Sequence, residues 1–243
     1  MTGNLARTVA TRPALGRPAW PVVAGGAVIH RQARPDDELR VLQDIGTTIS
    51  FGRNETIFSE GDATKYAYKV VSGAVRQCKL LSDGRRQVTD FFMPDDLFGF
   101  TEFGLHAFSA EAITHVVLIR YARSHVDRLG DENMLFRRKL TMVLHERVSH
   151  IQHHLVMLGR QTVKERIASF LLQMAERNGA ALGGCIDLPM GRQDIADYLA
   201  LTIETVCRSL GELKRAGTIG VPNTHQILIN DVDTLRAVAE GEN

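Results

Sequence analysis

The sequence has 243 residues, 44% of them hydrophobic, and a formal net charge of +1. This length suits two modest domains, each with its own core. It contains no run of about eighteen apolar residues, so it predicts no membrane-spanning helix. Its three cysteines are scattered, which favours a reducing cytoplasm over a disulfide framework.

The first 35 residues have a composition of their own. They contain no acidic residue and four of the seven prolines. An arginine-rich segment without acidic residues could be a targeting peptide. However, its apolar stretch, 19–29, is short and interrupted by proline and glycine. We therefore expect residues 1–35 to form a disordered extension.

Residues 36–123 have the sequence pattern of an all-β domain. Short runs rich in β-branched and aromatic residues alternate with glycines at roughly the 8–12-residue spacing of a barrel or jelly roll. These glycines are Gly52, Gly61, Gly73, Gly84 and Gly99. The tripeptide 82–84, Ser-Asp-Gly, predicts a hairpin tip.

Residues 124–159 predict a long helix with one apolar seam. Its members follow one another at steps of four, three, four and three residues, as in the a and d positions of a coiled coil. They are Leu144, Val148, Ile151, Leu155 and Leu158. A helix buried within one chain would show a broader stripe. We therefore predict that this helix pairs with a second copy in a homodimer.

Four histidines raise the question of a metal or haem site. His150 and His154 are four residues apart on the predicted helix and could bind a metal. No acidic residue shares their turn, so a solvated helix face is the simpler interpretation. His106 and His115, in the β-domain, could ligate haem iron, but ordinary surface or loop histidines are the simpler interpretation there too.

Residues 191–217 predict a helix-turn-helix, in which two short helices are joined by a tight turn. Thr202 stands where the N-cap of the second helix belongs. The stripes to be buried consist of Ile195, Ala196, Leu199, Val206, Leu210 and Leu213. The outward face of the second helix then carries Ile203, Glu204, Cys207, Arg208 and Gly211.

The chemistry of this outward face suits double-stranded DNA. Glu204 and Arg208 are four residues apart and project from neighbouring turns. Arginine can donate to guanine O6 and N7, and glutamate can accept from cytosine N4, each good pairing discriminating by about 1–3 kcal/mol. The alternative, a plain surface ion pair, would add only about 0.2–0.5 kcal/mol to the helix. Because the pair follows a tight turn, we favour base recognition.

After Gly217, two β-branched runs flank Pro222, Asn223 and Thr224, which predicts a hairpin. A helix-turn-helix followed by a hairpin is a winged helix, and its wing would lie beside a phosphate backbone. From residue 159 to the end the chain has nine basic and eleven acidic residues. Because this region is not basic in bulk, the prediction of DNA binding depends on the geometry of the motif.

Residues from about 36 to the wing resemble the Crp/Fnr superfamily of transcription regulators, and within it the FixK-like branch. The motifs EGD at 60–62, VSGAVR at 71–76 and PDDLFG at 94–99 resemble sequences of its β-roll, and the motif ETVCR at 204–208 resembles its recognition helix. The resemblance implies an α+β fold. It consists of an N-terminal β-roll (36–123), a jelly roll of the cyclic-nucleotide-binding kind, a long dimerisation helix (124–159) and a C-terminal winged helix-turn-helix (160–243).

The resemblance also implies which residues touch DNA. Glu204 and Arg208 would contact the half-site, and Arg192 and Gln193 would touch phosphate. Cys207 departs from the Fnr pattern, in which serine is common, so the third base contact differs here. The predicted DNA-binding residues are Arg192, Gln193, Thr202, Ile203, Glu204, Thr205, Cys207 and Arg208.

The sequence departs from the relatives that bind effectors. Nucleotide-binding members hold the phosphate with an arginine, but no arginine lies between Phe98 and Ile119, and Ser109-Ala110 replaces the gripping pair. An iron–sulfur cluster needs four ligands, usually cysteines, and this chain has three cysteines without ligand spacing. We expect no cofactor. A ligand-gated regulator of the same fold, with haem or a small molecule in the β-roll, is the alternative.

Further partners follow from the resemblance alone. It implies a homodimer on an inverted TTGA-like repeat, with half-sites one helical turn, about 34 Å, apart. It also implies contact with RNA polymerase, for which the loop 179–187 occupies the place of an activating surface. The branch suggests gene control under low oxygen or nitrogen oxides. We find no nucleophile–base pair, metal cluster or phosphate loop in the sequence, and predict no enzyme.

Cys207 has a possible redox role. A thiol beside an arginine near a helix start is held more readily as the reactive thiolate. Its oxidation would place polar bulk or charge against DNA and weaken binding. The alternative is that Cys207 is a small residue tolerated where serine also fits. Cys185, in the glycine-rich segment, is a weaker candidate of the same kind.

Overall fold

The computed structural model describes residues 46–100, 104–178 and 184–242. The predicted extension, 1–35, lies outside these ranges. The described part begins with eight strands: β1 (Thr47–Phe51), β2 (Thr56–Phe58), β3 (Tyr66–Ser72), β4 (Val75–Leu80), β5 (Arg86–Phe92), β6 (Leu97–Phe98), β7 (Ser109–Ala112) and β8 (Val116–Ala122). They form two antiparallel sheets, ordered β1-β8-β3-β6 and β2-β7-β4-β5.

The two sheets enclose an apolar core, which confirms the predicted β-roll. Alternate residues of the strands face each other, and Val70, Val75, Val116 and Leu118 are completely buried. The predicted tip at 82–84 joins β4 to β5. Gly84 there has a φ of 84°, which an L side chain rarely adopts. The hairpin is long enough to carry its arginine-rich end well beyond the core.

Six helices follow within the described ranges: α1 (Arg123–Glu132), α2 (Met134–Arg160), α3 (Val163–Arg177), α4 (Arg192–Leu199), α5 (Ile203–Arg215) and α6 (Val232–Glu240). Three short strands, β9 (Cys185–Asp187), β10 (Ile219–Asn223) and β11 (Gln226–Ile229), form a sheet ordered β10-β11-β9. None of these helices is long and apolar enough to cross a membrane.

The structure differs from the sequence predictions at two segments. The long helix predicted at 124–159 is two helices, because Asn133 adopts an extended conformation and its side chain caps α2 by accepting from the Phe136 amide at 3.0 Å. The segment 179–187, predicted as a loop, contains a strand, since Cys185–Asp187 pairs with β11. The wing therefore has three strands, and its turn is at Thr224–His225.

A cluster of polar side chains is buried where β5, α2, α3 and α4 meet. Arg147 Nη1 lies 3.2 Å from an Asp90 carboxylate oxygen, and the His154 ring stacks 4.0 Å from the Tyr198 ring. Neither nitrogen of His154 has a hydrogen-bond partner. The interpretation of His150 and His154 as a solvated pair is therefore wrong, because their face of α2 packs against the protein. No three metal-binding side chains converge anywhere in the described ranges.

This burial predicts a loss of stability in mild acid. Burial lowers the pKa of His154 to about 4, with His150 adding to the effect and Asp90 opposing it. Burial, with Arg177 and Arg147, also lowers the pKa of His150 to about 4. The unfolded chain, whose histidines titrate near 6.5, then binds more protons than the folded chain. The stabilisation is complete above that pH and is lost as the pH falls towards 4.

Replacing His154 with phenylalanine would keep the stack on Tyr198 and remove one of the two buried bases. We expect the drop in unfolding free energy between about pH 7.5 and about pH 5 to shrink, by at most about half, because His150 and His106, whose pKa values burial also lowers, remain. Denaturant titrations at both pH values measure it. The same substitution at His145, which is exposed on the same helix, is the control. An unchanged drop in the His154 variant would contradict the burial of a neutral imidazole.

Candidate DNA interface

The helix-turn-helix is formed by α4 and α5. The chain turns between them at Ala200, which has a φ of 53° and donates its amide to the Ala196 carbonyl. Thr202 caps α5, because its hydroxyl accepts from the Thr205 amide at 3.2 Å. Gly217, with a φ of 80°, then turns the chain from α5 into the wing. The motif therefore has the elements and the N-cap that the sequence predicts.

The two predicted stripes are buried, and the predicted outward face is exposed except at Gly211, which is half-buried. Ile195, Ala196, Leu199, Val206, Leu210 and Leu213 are all at least nine-tenths buried. These stripes share one core with α3 and the wing, so α5 is held mainly by its inner face. Its opposite face presents Ile203, Glu204, Cys207 and Arg208 to solvent, with Thr205 half-buried beside the cap.

Glu204 and Arg208 do not form an ion pair with each other within the described structure. The Glu204 carboxylate interacts instead with its own backbone amide and with the Thr202 side chain, and these hydrogen bonds lower its pKa. The carboxyl group is thus held ionised at the N-terminus of α5, the form that accepts a hydrogen bond from cytosine N4. Arg208 is exposed one turn later, and its guanidinium is available to a guanine.

The two residues predicted to touch phosphate differ in exposure. Gln193 is exposed in the first turn of α4, and its side-chain amide donates to Asp197 at 2.7 Å. Arg192 is only half-buried, but its Nη1 is buried without a hydrogen-bond partner, and burial lowers the pKa of its guanidinium. Gln193 can therefore meet a phosphate as it stands, whereas Arg192 must turn outward.

The three thiols have different surroundings, and all three are free. Cys207 is exposed on α5 and lies close enough to Arg192 to interact with it electrostatically. Cys185 is exposed at the start of the wing strand β9. Cys78 is buried within the β-roll, and burial raises its pKa to about 11. Cys207 alone among them stands on the surface predicted to meet DNA.

The wing completes the same face of the domain. Residues 222–225 at its tip are exposed, and the Asn223 side chain accepts from the His225 amide at 2.8 Å, which fixes the turn. The strand β9 adds to the other side of β11, with Ile227 opposite Ile186. This third strand extends the hairpin into a three-stranded sheet, whereas an isolated two-stranded hairpin is marginally stable.

Sequence reasoning missed a second set of side chains beside this interface. Asp194 and Asp197 of α4 form ion pairs with Arg76 and Arg86 of the β-roll. These partners are more than 100 residues apart in the chain, so no local pattern could have identified them. The only local signal is Asp194 three residues after Gly191, a position from which its carboxylate accepts the Gly191 amide at 3.2 Å.

Comparisons with known proteins agree with this architecture. The Crp-like helix-turn-helix domain family matches residues 165–238, and the cyclic nucleotide-binding domain family matches residues 48–133. The nitrogen fixation regulation protein FixK of Azorhizobium caulinodans is 39% identical over 89% of this chain and 88% of its own. The transcriptional activatory protein AadR of Rhodopseudomonas palustris is 34% identical over 78% of this chain and 80% of its own.

The solved structure of FixK2 from Bradyrhizobium japonicum has the same fold. It superposes with a TM-score of 0.76 at 39% identity, over 80% of this chain and 97% of that one. These relatives are regulators and not enzymes, as the sequence predicts for this chain. The family domains, the coverage and the shared fold lead to one conclusion. The chain belongs to the Crp/Fnr superfamily, as a FixK-like DNA-binding regulator of transcription.

Proposed function

We propose that the protein binds an inverted TTGA-like repeat as a homodimer and activates transcription from it. The observation that carries this proposal is the exposed face of α5, where Glu204 and Arg208 are free to meet bases. Their donor and acceptor groups match a G·C pair, which the TTGA half-site contains. Ile203 and Cys207 on the same face would contact the neighbouring bases, with Gln193 on phosphate.

Dimerisation is supported by the apolar seam of α2. Leu144, Val148, Ile151 and Leu155 are 42%, 51%, 54% and 70% exposed, although they occupy the a and d spacing of a coiled coil. Leu158, at the end of the seam, is half-buried. An exposed apolar stripe of this length along one helix is typical of an interface. A two-fold axis along α2 would present two copies of α5 to successive major grooves.

The direct test is a gel shift at fixed salt with the purified full chain. We expect binding to an inverted TTGA repeat to be at least about 10³-fold tighter than to a scrambled duplex of the same length. A single half-site should bind far more weakly than the repeat. Equal retardation of repeat and scrambled DNA would contradict the proposal, because non-specific phosphate contacts would then account for all the binding.

The cellular setting of the proposal follows from the FixK-like branch. The protein would act in the cytoplasm, contact RNA polymerase through the surface around residues 179–187, and control genes for low oxygen or nitrogen oxides. The part of that surface in the described ranges, Cys185–Asp187, is the edge strand of the wing sheet. It is thus accessible on the outside of the domain that binds DNA. Transcription assays with purified polymerase would test this contact.

Cys207 offers a redox control of the same interface. We expect peroxide treatment of the DNA-free protein to weaken binding to the repeat, because an oxidised sulfur places polar bulk or negative charge against DNA. The Cys207→Ser variant should keep its affinity after the same treatment. Cys185→Ser is the control, since Cys185 is exposed away from α5. Equal loss of binding in wild type and Cys207→Ser would eliminate the redox role.

A ligand-gated regulator is the second candidate, and one cavity favours it. A cavity of about 290 Å³ lies between the β-roll and helices α1 and α2, lined among others by Tyr66, Phe100 and Leu144. Since Leu144 also belongs to the seam, a small apolar molecule there would reset the dimer interface. Neither His106 nor His115 lines this cavity. His106, predicted as an ordinary surface or loop residue, is buried, and its ring stacks 3.7 Å from the Phe58 ring. An absorption spectrum of the fresh protein would reveal haem.

A further inference from the structure

The first helix of the helix-turn-helix is fastened to the β-roll by directed ion pairs. Arg86 of β5 donates through Nε to an Asp197 carboxylate oxygen at 2.8 Å and through Nη2 to an Asp194 oxygen at 2.7 Å. One guanidinium therefore bridges two carboxylates one turn apart on α4. A planar guanidinium fixes the direction of each bond, which a lysine ammonium does not.

A second arginine holds the same helix from the neighbouring strand. Arg76 of β4 donates to the Asp194 carboxylate at 3.1 Å, and both side chains are only 10% exposed. Arg76 is itself fixed by Glu111 of β7, which accepts from its Nε at 2.8 Å. Asp194 thus binds two β-roll arginines while it also accepts the Gly191 amide at the start of α4. The β-roll and the helix N-terminus share one carboxylate.

The pairs continue to the DNA-facing surface. The second oxygen of Asp197 accepts from the side-chain amide of Gln193 at 2.7 Å. Arg86, Asp197 and Gln193 therefore form a chain of hydrogen bonds from the turn end of the β4–β5 hairpin to an exposed residue in the first turn of α4. β5 also contacts α4 through the rings of Phe91 and Tyr198 at 5.1 Å and through a hydrogen bond from the Gln87 side-chain amide to the Tyr198 carbonyl at 3.3 Å. Both contacts are at Tyr198, near the C-terminal end of α4, so they do not fix the direction of its first turn.

We infer that Arg86 and Arg76 are positioning residues for DNA recognition: they orient α4 on the β-roll and thereby set the distance between the two recognition helices of the dimer. This inference rests on the proposed binding of an inverted repeat by a homodimer. The β-rolls and the α2 seam fix the two subunits relative to each other. The ion pairs then fix each helix-turn-helix relative to its β-roll. The dimer interface and the ion pairs together therefore determine which spacing of half-sites the protein prefers.

Buried ion pairs suit this task better than they suit stabilisation. The cost of removing charges from water offsets much of their attraction, but their geometry is directional, and an unpaired member is costly. If the pairs are lost, the contacts of Phe91 and Gln87 with Tyr198 would keep the C-terminal end of α4 near β5, while its first turn would have more freedom to move. The dimer would then accept half-sites at other separations. Affinity for one half-site depends on the bases read by α5 and on the phosphate contact of Gln193, so it would fall less than the preference for one spacing.

The test compares preference for spacing, not overall affinity. Wild type, Arg86→Gln and Asp197→Asn are titrated with a series of inverted TTGA repeats whose central spacer is lengthened or shortened base pair by base pair. We expect the preference of each variant for the best spacer over its neighbours to fall about five- to tenfold relative to wild type. The double variant should lose no more than either single variant, since both break the same link.

The matched control is Arg85→Gln. Arg85 is adjacent in sequence and pairs only locally, with Asp83 at the hairpin tip, so the spacer preference should stay as in wild type. Arg86→Lys keeps the charge but cannot bridge both carboxylates, and should recover only part of the preference. Thermal melting of every variant reports whether the fold is kept. Asp197→Asn breaks the ion pair between Arg86 and Asp197 from the DNA-binding domain, whereas Arg86→Gln breaks it from the β-roll.

The two proposals fail in different ways. If Arg86→Gln and Asp197→Asn fold and discriminate spacers as wild type does, the positioning role is wrong, while the proposed function stands. If wild type itself shows no preference for an inverted repeat or for any spacer, the proposed function fails, and the positioning role falls with it. An equal loss of preference in Arg85→Gln would also overturn the inference, because it would indicate a general effect of hairpin charge.

Discussion

The Arg208→Ala variant is expected to lose its preference for the G·C pair of the half-site. The exposed guanidinium is the donor fork near the start of the outward face of α5, and its two hydrogen bonds to guanine discriminate by about 1–3 kcal/mol, roughly 5- to 150-fold. Gel shifts at constant salt, with each of the four bases placed at that position, measure the preference. Glu204→Ala should relax it in the same way, through loss of the bond from cytosine N4.

The control for this prediction is Arg215→Ala. Arg215 lies on the same helix, is exposed, and donates to the Gly211 carbonyl at the other end of α5. Its loss removes the same charge and should at most weaken binding to all sequences alike, with a shallower dependence on salt. If Arg208→Ala likewise lowers affinity for all four bases to the same extent, Arg208 contacts phosphate and the assignment to a base is wrong.

The Leu155→Glu variant is expected to be a monomer that does not bind the repeat. Leu155 is 70% exposed in the single chain and is the fourth of the five seam residues, so a dimer would bury it against its own copy. Two carboxylates would then meet in an apolar interface, and desolvation of charge there costs several kcal/mol. Sedimentation at micromolar concentration measures the oligomeric state, and the gel shift measures the loss of binding.

Ser149→Glu is the matched control, because Ser149 is exposed on α2 away from the seam and receives the same charge. It should remain dimeric and bind as wild type does. A dimeric Leu155→Glu would place the interface elsewhere. A monomeric variant that still discriminates the repeat would show that one subunit suffices, and would remove the need for two-fold symmetry.

The sequence predicted most of the DNA-binding domain. The outward face of α5 could be identified because Val206, Leu210 and Leu213 follow the helical period and Thr202 is a good N-cap. These are local signals, since the residues that carry them lie within one or two turns of each other. An all-β barrel or jelly roll before the long helix was predicted on the same basis, from glycines at regular intervals, and the family resemblance implied a β-roll. Resemblance to the Crp/Fnr superfamily then supplied the order of the domains.

Some expectations failed because they depended on partners distant in the chain. His150 and His154 were assigned to a solvated face, but β5 and α4 cover that side of α2. The wing gained β9, because Cys185–Asp187 pairs with a strand 40 residues later. Asn133, which caps α2, is a local signal for the break between α1 and α2. The sequence prediction followed the apolar seam instead and extended one helix over both segments, although the seam residues all lie in α2.

The sequence by itself determined which surfaces the helices offer: the buried stripes, the exposed acid and guanidinium on α5, and the apolar seam on α2. Helical periodicity and capping are properties of neighbouring residues, so the chain specifies them locally. Only the tertiary structure decided how the DNA-binding domain is held. Arg86 meets Asp194 and Asp197 across more than 100 residues, and such pairs exist only after both domains have folded and their charges have been brought together.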